Sequence, residues 1–444
     1  MAALAFAPLW FGSHGLAPWS VNALLFPGLT AAYEITLLAR GRGHAFGLRL
    51  IAAPAALSLF ALVWIGLQIA PAPGALAHPL WGEAARVLNL PLQGVVSIAP
   101  GMSVRAAMRL LTDASVFWLS LQLCRTPARA YRLMGAIAAI VVAISIFALL
   151  SLALWSAAIP FLDGPAPGGA RGTFGNRNSF ATYAGLGLVT LAALIGRAME
   201  NQTPERGVAF GYRLNRALSA LASKAPLAAT GFAIVVAALF GTGSRGGIVA
   251  AFAGLVAMAL LVRRRRGHAD RLSAVLTWGA AGVSLFLLGD LFFERIAQAG
   301  FGDPGRAAVY RIILRSIADA PLTGFGYGSF ADAFRLYRDQ SVSTEGVWEM
   351  AHNSYLEVLQ GLGAPAGLAL VLALLLLTLA CARGALTRHR DRAPALAAFG
   401  AGALVATHAL VDFSLEIEAV ALTFMALLGA GVAQSRSSRE ATGD

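Results

Sequence analysis

The sequence predicts an all-α, polytopic membrane protein of about eleven or twelve crossing helices, with one large outer loop that carries amphipathic helices of its own. Three observations predict it. Charged residues make up only 13% of the 444 positions, about half of the roughly 25% usual in soluble domains, and mean hydropathy is +0.69. Apolar stretches recur at close to the ~20 residues a helix needs to cross hydrocarbon. The connections between them alternate in kind, one set short and arginine-rich, the other longer and rich in Gly and aromatics.

Taken in order, the apolar stretches run near 17–39, 49–70, 104–124, 130–155, 179–197, 226–242, 246–262, 273–293, 356–380, 395–413 and 416–433. The segment Ala2 to Phe11 is too short to cross unaided, and reads either as a half-helix or as the end of a twelfth span. No basic n-region or cleavage site opens the chain, so the first spans themselves would target it. Placing Arg263 to Arg266 inside and alternating outwards makes every inner connection net basic, as the positive-inside rule requires. Three outer segments are then long: Pro71 to Ser103, Ala157 to Asn178, and the largest, Arg295 to Tyr355. The last holds two amphipathic stretches. Arg306 to Ala318 places Val309, Ile313, Leu314 and Ile317 at helical spacing, and Phe330 to Tyr337 follows a GFGYGSF turn. Residues 1–444 read as a single integral membrane domain.

The net charge of +12 would suggest nucleic acid in a soluble protein. Here it follows from arginine in inner connections and implies no nucleic-acid partner. Cys124 and Cys381 fall at inner ends of spans, and no disulfide framework or CxxC site is available.

Four constellations lie on the outer side. In RGTFGNRNSF, Asn178 or Ser179 would cap the following helix, and free N–H groups with Arg171 and Arg177 beside them suit a phosphate. The alternative is a Gly-rich turn with arginines reaching headgroups. In GTGSRGG, Arg245 sits at a hairpin with almost no loop, so it meets an anion or anchors to lipid. In AHNSYLEVLQGLG, His352 precedes a span capped by Asn353 or Ser354. A helix start disfavours imidazolium, which suits a proton acceptor, although a structural histidine fits equally. GDPGR opens an amphipathic helix on which Arg306, Arg311 and Arg315 follow one another by about a turn, as a binding face or a solvated one. In addition His408 and Asp412, four residues apart near an outer end, form either a functional pair or a buried structural one. No HExxH, DxD or Walker loop occurs, and the nearest acidic couplet is Glu416 and Glu418.

The order of these motifs, RGTFGNRN, TGSRGG, GDPGR with the later PLTGFGYGSF, HNSYLEVLQGLG and the closing HALVDFSLEIEAVA, resembles the O-antigen ligase and polymerase superfamily over roughly residues 165–430. The resemblance implies glycan transfer from an undecaprenyl-pyrophosphate carrier to an acceptor hydroxyl, of lipid A-core or of a growing glycan. It places the reaction at the periplasmic face of a bacterial inner membrane, among membrane lipids, without metal or cofactor and with inversion. It implies His352 as base together with Arg245, a pyrophosphate site built from Arg171, Arg177, Asn178, Arg245, Arg306 and Arg311, and support from Tyr310, Asn353, Tyr355, His408 and Asp412. The chain departs from the pattern at three places. Arg177 stands where Pro is frequent, Tyr310 where Trp is common, and Gly361 where a Glu usually follows, leaving open whether Glu357 substitutes. Repeat-unit polymerisation and transfer to a protein hydroxyl remain open beside ligation. From other classes, a lipid-linked glycan flippase would place charged or broken helices near mid-membrane, and a metal-dependent transferase would use Glu416 and Glu418.

Overall fold

The structure, a computed structural model, describes residues 1–155, 168–200, 210–266, 304–342 and 348–436. Among these residues there are fifteen α-helices and no strand. They are α1 (Ala2–Leu9), α2 (Leu16–Ala39), α3 (Ala52–Ile69), α4 (Leu80–Leu88), α5 (Pro100–Leu123), α6 (Pro127–Trp155), α7 (Arg177–Ala198) and α8 (Phe210–Lys224), then α9 (Pro226–Gly241), α10 (Arg245–Arg266), α11 (Pro304–Asp319), α12 (Phe330–Tyr337), α13 (Ser354–Thr387), α14 (Ala393–His408) and α15 (Glu418–Ala433). Ten of the eleven apolar stretches are helices; the stretch 273–293 lies outside the described residues. Six helices, α2, α3 with the turn before it, α6, α7, α10 and α13, are long and apolar enough to cross a bilayer by themselves. The protein is therefore an all-α polytopic membrane protein.

The remaining apolar helices α9, α14 and α15 have 16 residues each. At 1.5 Å per residue that is about 24 Å, short of the ~30 Å hydrocarbon layer. α1 has eight residues and ends at a turn where Gly12 adopts φ +68°. It is a half-helix, which settles the reading of Ala2 to Phe11. The outer segment 71–103 contains α4, a short exposed helix whose Trp81 indole donates to the Ser97 carbonyl at 3.1 Å. The expected amphipathic stretches are α11 and α12, sharing a small core of Val309, Ile312, Ile313, Phe330 and Phe334.

α7 and α15 form the centre. Every residue from Ser179 to Leu191 is buried, as is almost all of α15, and a helix apolar all round belongs inside a bundle. α15 packs on α5 and α14, α10 on α14, and α13 on α3, while α2 and α3 show most of their surface outward. Small residues allow these contacts: a Cβ on Gly254 of α10 would stand 2.7 Å from the carbonyl of Gly400 on α14. Membrane helices pack closely at such positions because dispersion, rather than water exclusion, drives their association. The arginine-rich connections meet at one end of the bundle, where Arg392 pairs with Glu200 at 2.7 Å and Arg197 lies 3.3 Å over the Tyr131 ring. The motif-bearing turns meet at the opposite end.

α13 is not continuous. At Gly363 the backbone leaves the helix (φ +72°, ψ 166°), one residue before Ala364-Pro365. The freed carbonyls are taken up by the strap at 321–328. Phe325 N–H donates to Gln360 O and Gly326 N–H to Gly361 O, both at 3.0 Å, while the Gln68 amide and the Trp64 indole donate to Gly361 O and Leu362 O. A backbone break at membrane depth is tolerated only where its polar groups are satisfied like this. The break is thus closed by the chain's own strap, unlike the helix interruptions that line a transporter's binding site.

Candidate functional site

The loop at 168–177 lies on the hairpin between α9 and α10. Ala170 N–H donates to Gly241 O at 2.7 Å, and a Cβ on Gly169 would meet Thr242 O at 2.4 Å, so backbone reaches backbone only because that residue is Gly. Arg177 donates to Gly168 O at 3.2 Å and its guanidinium stands beside Gly243. Ser244 caps α10 through Gly247 N–H, which places Arg245 in the first turn, half-buried. The loops bearing Arg171, Arg177 and Arg245 are therefore neighbours.

Sequence reasoning placed the cap of α7 two residues late. Asn176 is the cap and accepts from Ser179 N–H at 2.9 Å. Asn178 instead lies inside the helix and donates to Asp412 Oδ1 at 3.3 Å. Asp412 and His408 are buried and tied into one polar knot. Thr182 Oγ1 is 2.5 Å from His408 Nδ1, Ser414 donates to Asp412 Oδ2, and His408 Nδ1 lies 3.8 Å from that oxygen. The start of α10 touches the same knot, since a Cβ on Gly246 would be 3.2 Å from His408 Nε2.

His352 is held on every side. It adopts φ +52°, a left-handed conformation uncommon for a residue with a side chain. Before it, Ala351 N–H donates to Glu357 Oε2 at 2.9 Å; at it, Tyr310 donates to the His352 carbonyl at 2.9 Å. After it, Asn353 caps α13 by accepting from Leu356 N–H, and its amide donates to Leu410 O. Ser354 N–H donates to Ala409 O and Tyr355 to Ala406 O, both at 2.9 Å. The imidazole meets Phe413 at 4.9 Å and Trp348 at 5.9 Å between ring centroids, both edge-on.

His352 opens onto a cavity of about 290 Å³. Asn176, Ser179 and Phe174 line it from the α7 side, Trp348 and Glu349 from the segment before His352, and Phe413 and Ile417 from the turn after α14. Sequence reasoning missed its last wall, Phe11 and His14 of the N-terminal turn. That turn is locked in place by Thr173, whose hydroxyl donates to Pro8 O at 2.5 Å, and by Gly12, whose Cβ position is already filled by the Phe174 ring. The paired glycines of Gly12-Ser-His-Gly15 were the available signal.

The basic trio of α11 is only partly described. Arg306 is in the helix with its side chain outside the described residues. Arg311 and Arg315 are exposed, and Arg315 faces Asp339 at 3.5 Å. Asp339 also accepts from the Ser341 hydroxyl and N–H, which with the two arginines holds its carboxyl below the usual range. Glu416 and Glu418 point to protein partners: Arg109 is 3.1 Å from Glu416 and also donates to its carbonyl, while Asn22 donates to Glu418 at 2.6 Å. Among the described residues no group of three His, Cys, Asp or Glu is arranged to hold a metal. Gly361 is explained by packing, since its Cβ position is 3.1 Å from Tyr327 Cα and 3.2 Å from Gly326 O.

A helical membrane protein whose hairpin turns, rather than its mid-span residues, carry the polar cluster is of the class that works at a bilayer surface. Residues 230–371 match the family model described as O-antigen ligase. The match supports assigning the chain to the O-antigen ligase superfamily, and it spans Arg245, α11, α12 and His352. The loop of Arg171, the knot of His408 and Asp412 and the N-terminal turn lie outside it. No curated protein matches the chain.

Proposed function

We propose that the protein transfers a glycan from an undecaprenyl-pyrophosphate carrier to an acceptor hydroxyl, in the manner of an O-antigen ligase, at the periplasmic face of a bacterial inner membrane. The observation that carries the reading is His352. Its strained conformation is secured from α11, α13 and the turn after α14, and it faces a cavity beside the loop that bears Arg171 and Arg177. Strain held by surrounding structure marks functional positions.

In this reading Arg171, Arg177 and Arg245 receive the diphosphate, with Arg306 and Arg311 on its approach, and His352 removes the proton of the attacking hydroxyl. Diphosphate is a good leaving group, so stabilising its developing charge matters more than protonating it, and fixed guanidinium groups near low dielectric do that well. Proton removal by a positioned imidazole adds typically ~10²–10⁴-fold. Attack opposite the diphosphate inverts the anomeric centre, and neither step requires a metal.

The test is incubation of purified protein with a lipid-pyrophosphate-linked glycan and candidate acceptors in the presence of EDTA. A single addition to lipid A-core supports ligation, and a ladder of products supports the repeat-unit polymerase. Movement of the lipid-linked glycan across vesicles without any new glycosidic bond would overturn the reading in favour of a flippase.

A further inference from the structure

The aromatic cavity beside His352 has a chemistry of its own. Three separate chain segments each bring one aromatic ring together with a polar group: Phe11 with His14, Phe174 with Asn176, and Trp348 with Glu349. Phe413 closes it against the His352 ring. His14 and Glu349 are exposed, so the polar groups stand at the mouth, whereas Phe174 is fully buried. Flat apolar walls with a rim of hydrogen-bonding groups match a pyranose, which has C–H faces and a girdle of hydroxyls. At about 290 Å³ the cavity is at the small end of ligand sites, which run from ~300 Å³ upward, so it suits a sugar terminus rather than an extended glycan.

The charge at the mouth decides which substrate this is. Glu349 would repel a diphosphate, and the Arg177 guanidinium is turned away to Gly168 and Gly243 on the neighbouring hairpin. We infer that this cavity is the acceptor subsite: it seats one neutral pyranose between Trp348 and Phe11, with its hydroxyl toward His352. The inference rests on the glycosyl-transfer reading and adds to it the class of acceptor, a saccharide hydroxyl rather than a protein side chain. It also makes the N-terminal turn, which lies outside the family match, part of the specificity of the site.

The test is saturation-transfer NMR on the purified full-length protein in a sugar-free detergent, using millimolar methyl glycosides of hexoses, heptoses and N-acetylhexosamines. Saturation is expected at the ring C–H protons of at least one glycoside. It should fall by half or more in both Trp348→Ala and Phe11→Ala and weaken in Glu349→Gln, an exposed position that leaves packing intact. A large excess of inorganic pyrophosphate should leave it unchanged. Absence of transfer to every glycoside, displacement by pyrophosphate, or an undiminished signal in all three variants would overturn the proposal. The glycan-transfer assay is scored apart from it. Glycoside binding without turnover removes the enzymatic reading and leaves a saccharide site; turnover without glycoside binding does the reverse.

Discussion

Tyr310 and His352 are joined across 42 residues of chain by a 2.9 Å hydrogen bond, in which the phenol donates to the histidine's own carbonyl. The bond ties α11 to the turn that carries the imidazole and helps to hold its φ at +52°. Tyr310→Phe removes the donor and little else. We expect a loss of about 1 kcal/mol of local stability and a fall in kcat of roughly 5- to 10-fold with KM unchanged. Tyr310→Trp keeps an N–H donor and should retain more activity than Phe. Steady-state kinetics on the three proteins checks both, and equal activity of Phe and Tyr would show that the carbonyl needs no anchor.

Arg245 opens α10 at the hairpin on which the Arg171 loop rests. A guanidinium that grips a diphosphate with two parallel N–H groups is not replaced by an ammonium. Arg245→Lys should lower kcat/KM by on the order of 10² although the charge is kept. Near-normal turnover would mean that only charge matters there.

Gly363 marks where α13 breaks, and its Cβ position lies 2.3 Å from the Leu322 carbonyl at φ +72°. Gly363→Ala meets both a clash and a left-handed backbone, so a cost of about 2 kcal/mol or more is expected, read as a lower midpoint of thermal unfolding in detergent. Gly361→Glu, which restores the residue usual in the resembling family, should also destabilise, because Tyr327 Cα and Gly326 O already occupy that space. A gain of activity in Gly361→Glu would contradict the packing account of that departure.

The spans were legible because apolar length is set by bilayer thickness and needs no knowledge of partners. The hairpin motifs were legible because glycines beside an arginine at membrane depth require a reason. What could not be read was pairing at a distance. Nothing in LQGLGAPAG announces that the carbonyls of Gln360, Gly361 and Leu362 are freed, because their acceptance of Phe325, Gly326, Gln68 and Trp64 depends on segments as far as 298 residues away. The cap of α7 was misplaced for a local reason: RGTFGNRNSF offers two asparagines, and only the extended φ of −139° at Asn176 selects the first. Phe11 and His14 were missed because an eight-residue helix carries too little apolar length to reveal that its end folds back over the site.

His78 supplies a pH-dependent reporter of the outer segment before α5. Its Nδ1 accepts the Leu80 N–H at 3.2 Å, its ring lies 5.5 Å from that of Phe325 in the strap, and burial pushes its imidazole below the ordinary value. A histidine released from this packing titrates near 6.5, so the opened state binds the proton first as pH falls. The packing of His78 is therefore fully present above about pH 6.5 and is lost progressively as pH drops toward and through its lower folded value. Protonation also abolishes the acceptor that Leu80 uses. Exchange of the Leu80 amide, corrected for intrinsic rate, should accelerate between pH 7.5 and pH 5.5. His78→Asn keeps an acceptor without titrating and should exchange at a pH-independent corrected rate. An identical acceleration in that variant would assign the opening to other groups and remove His78 as its cause.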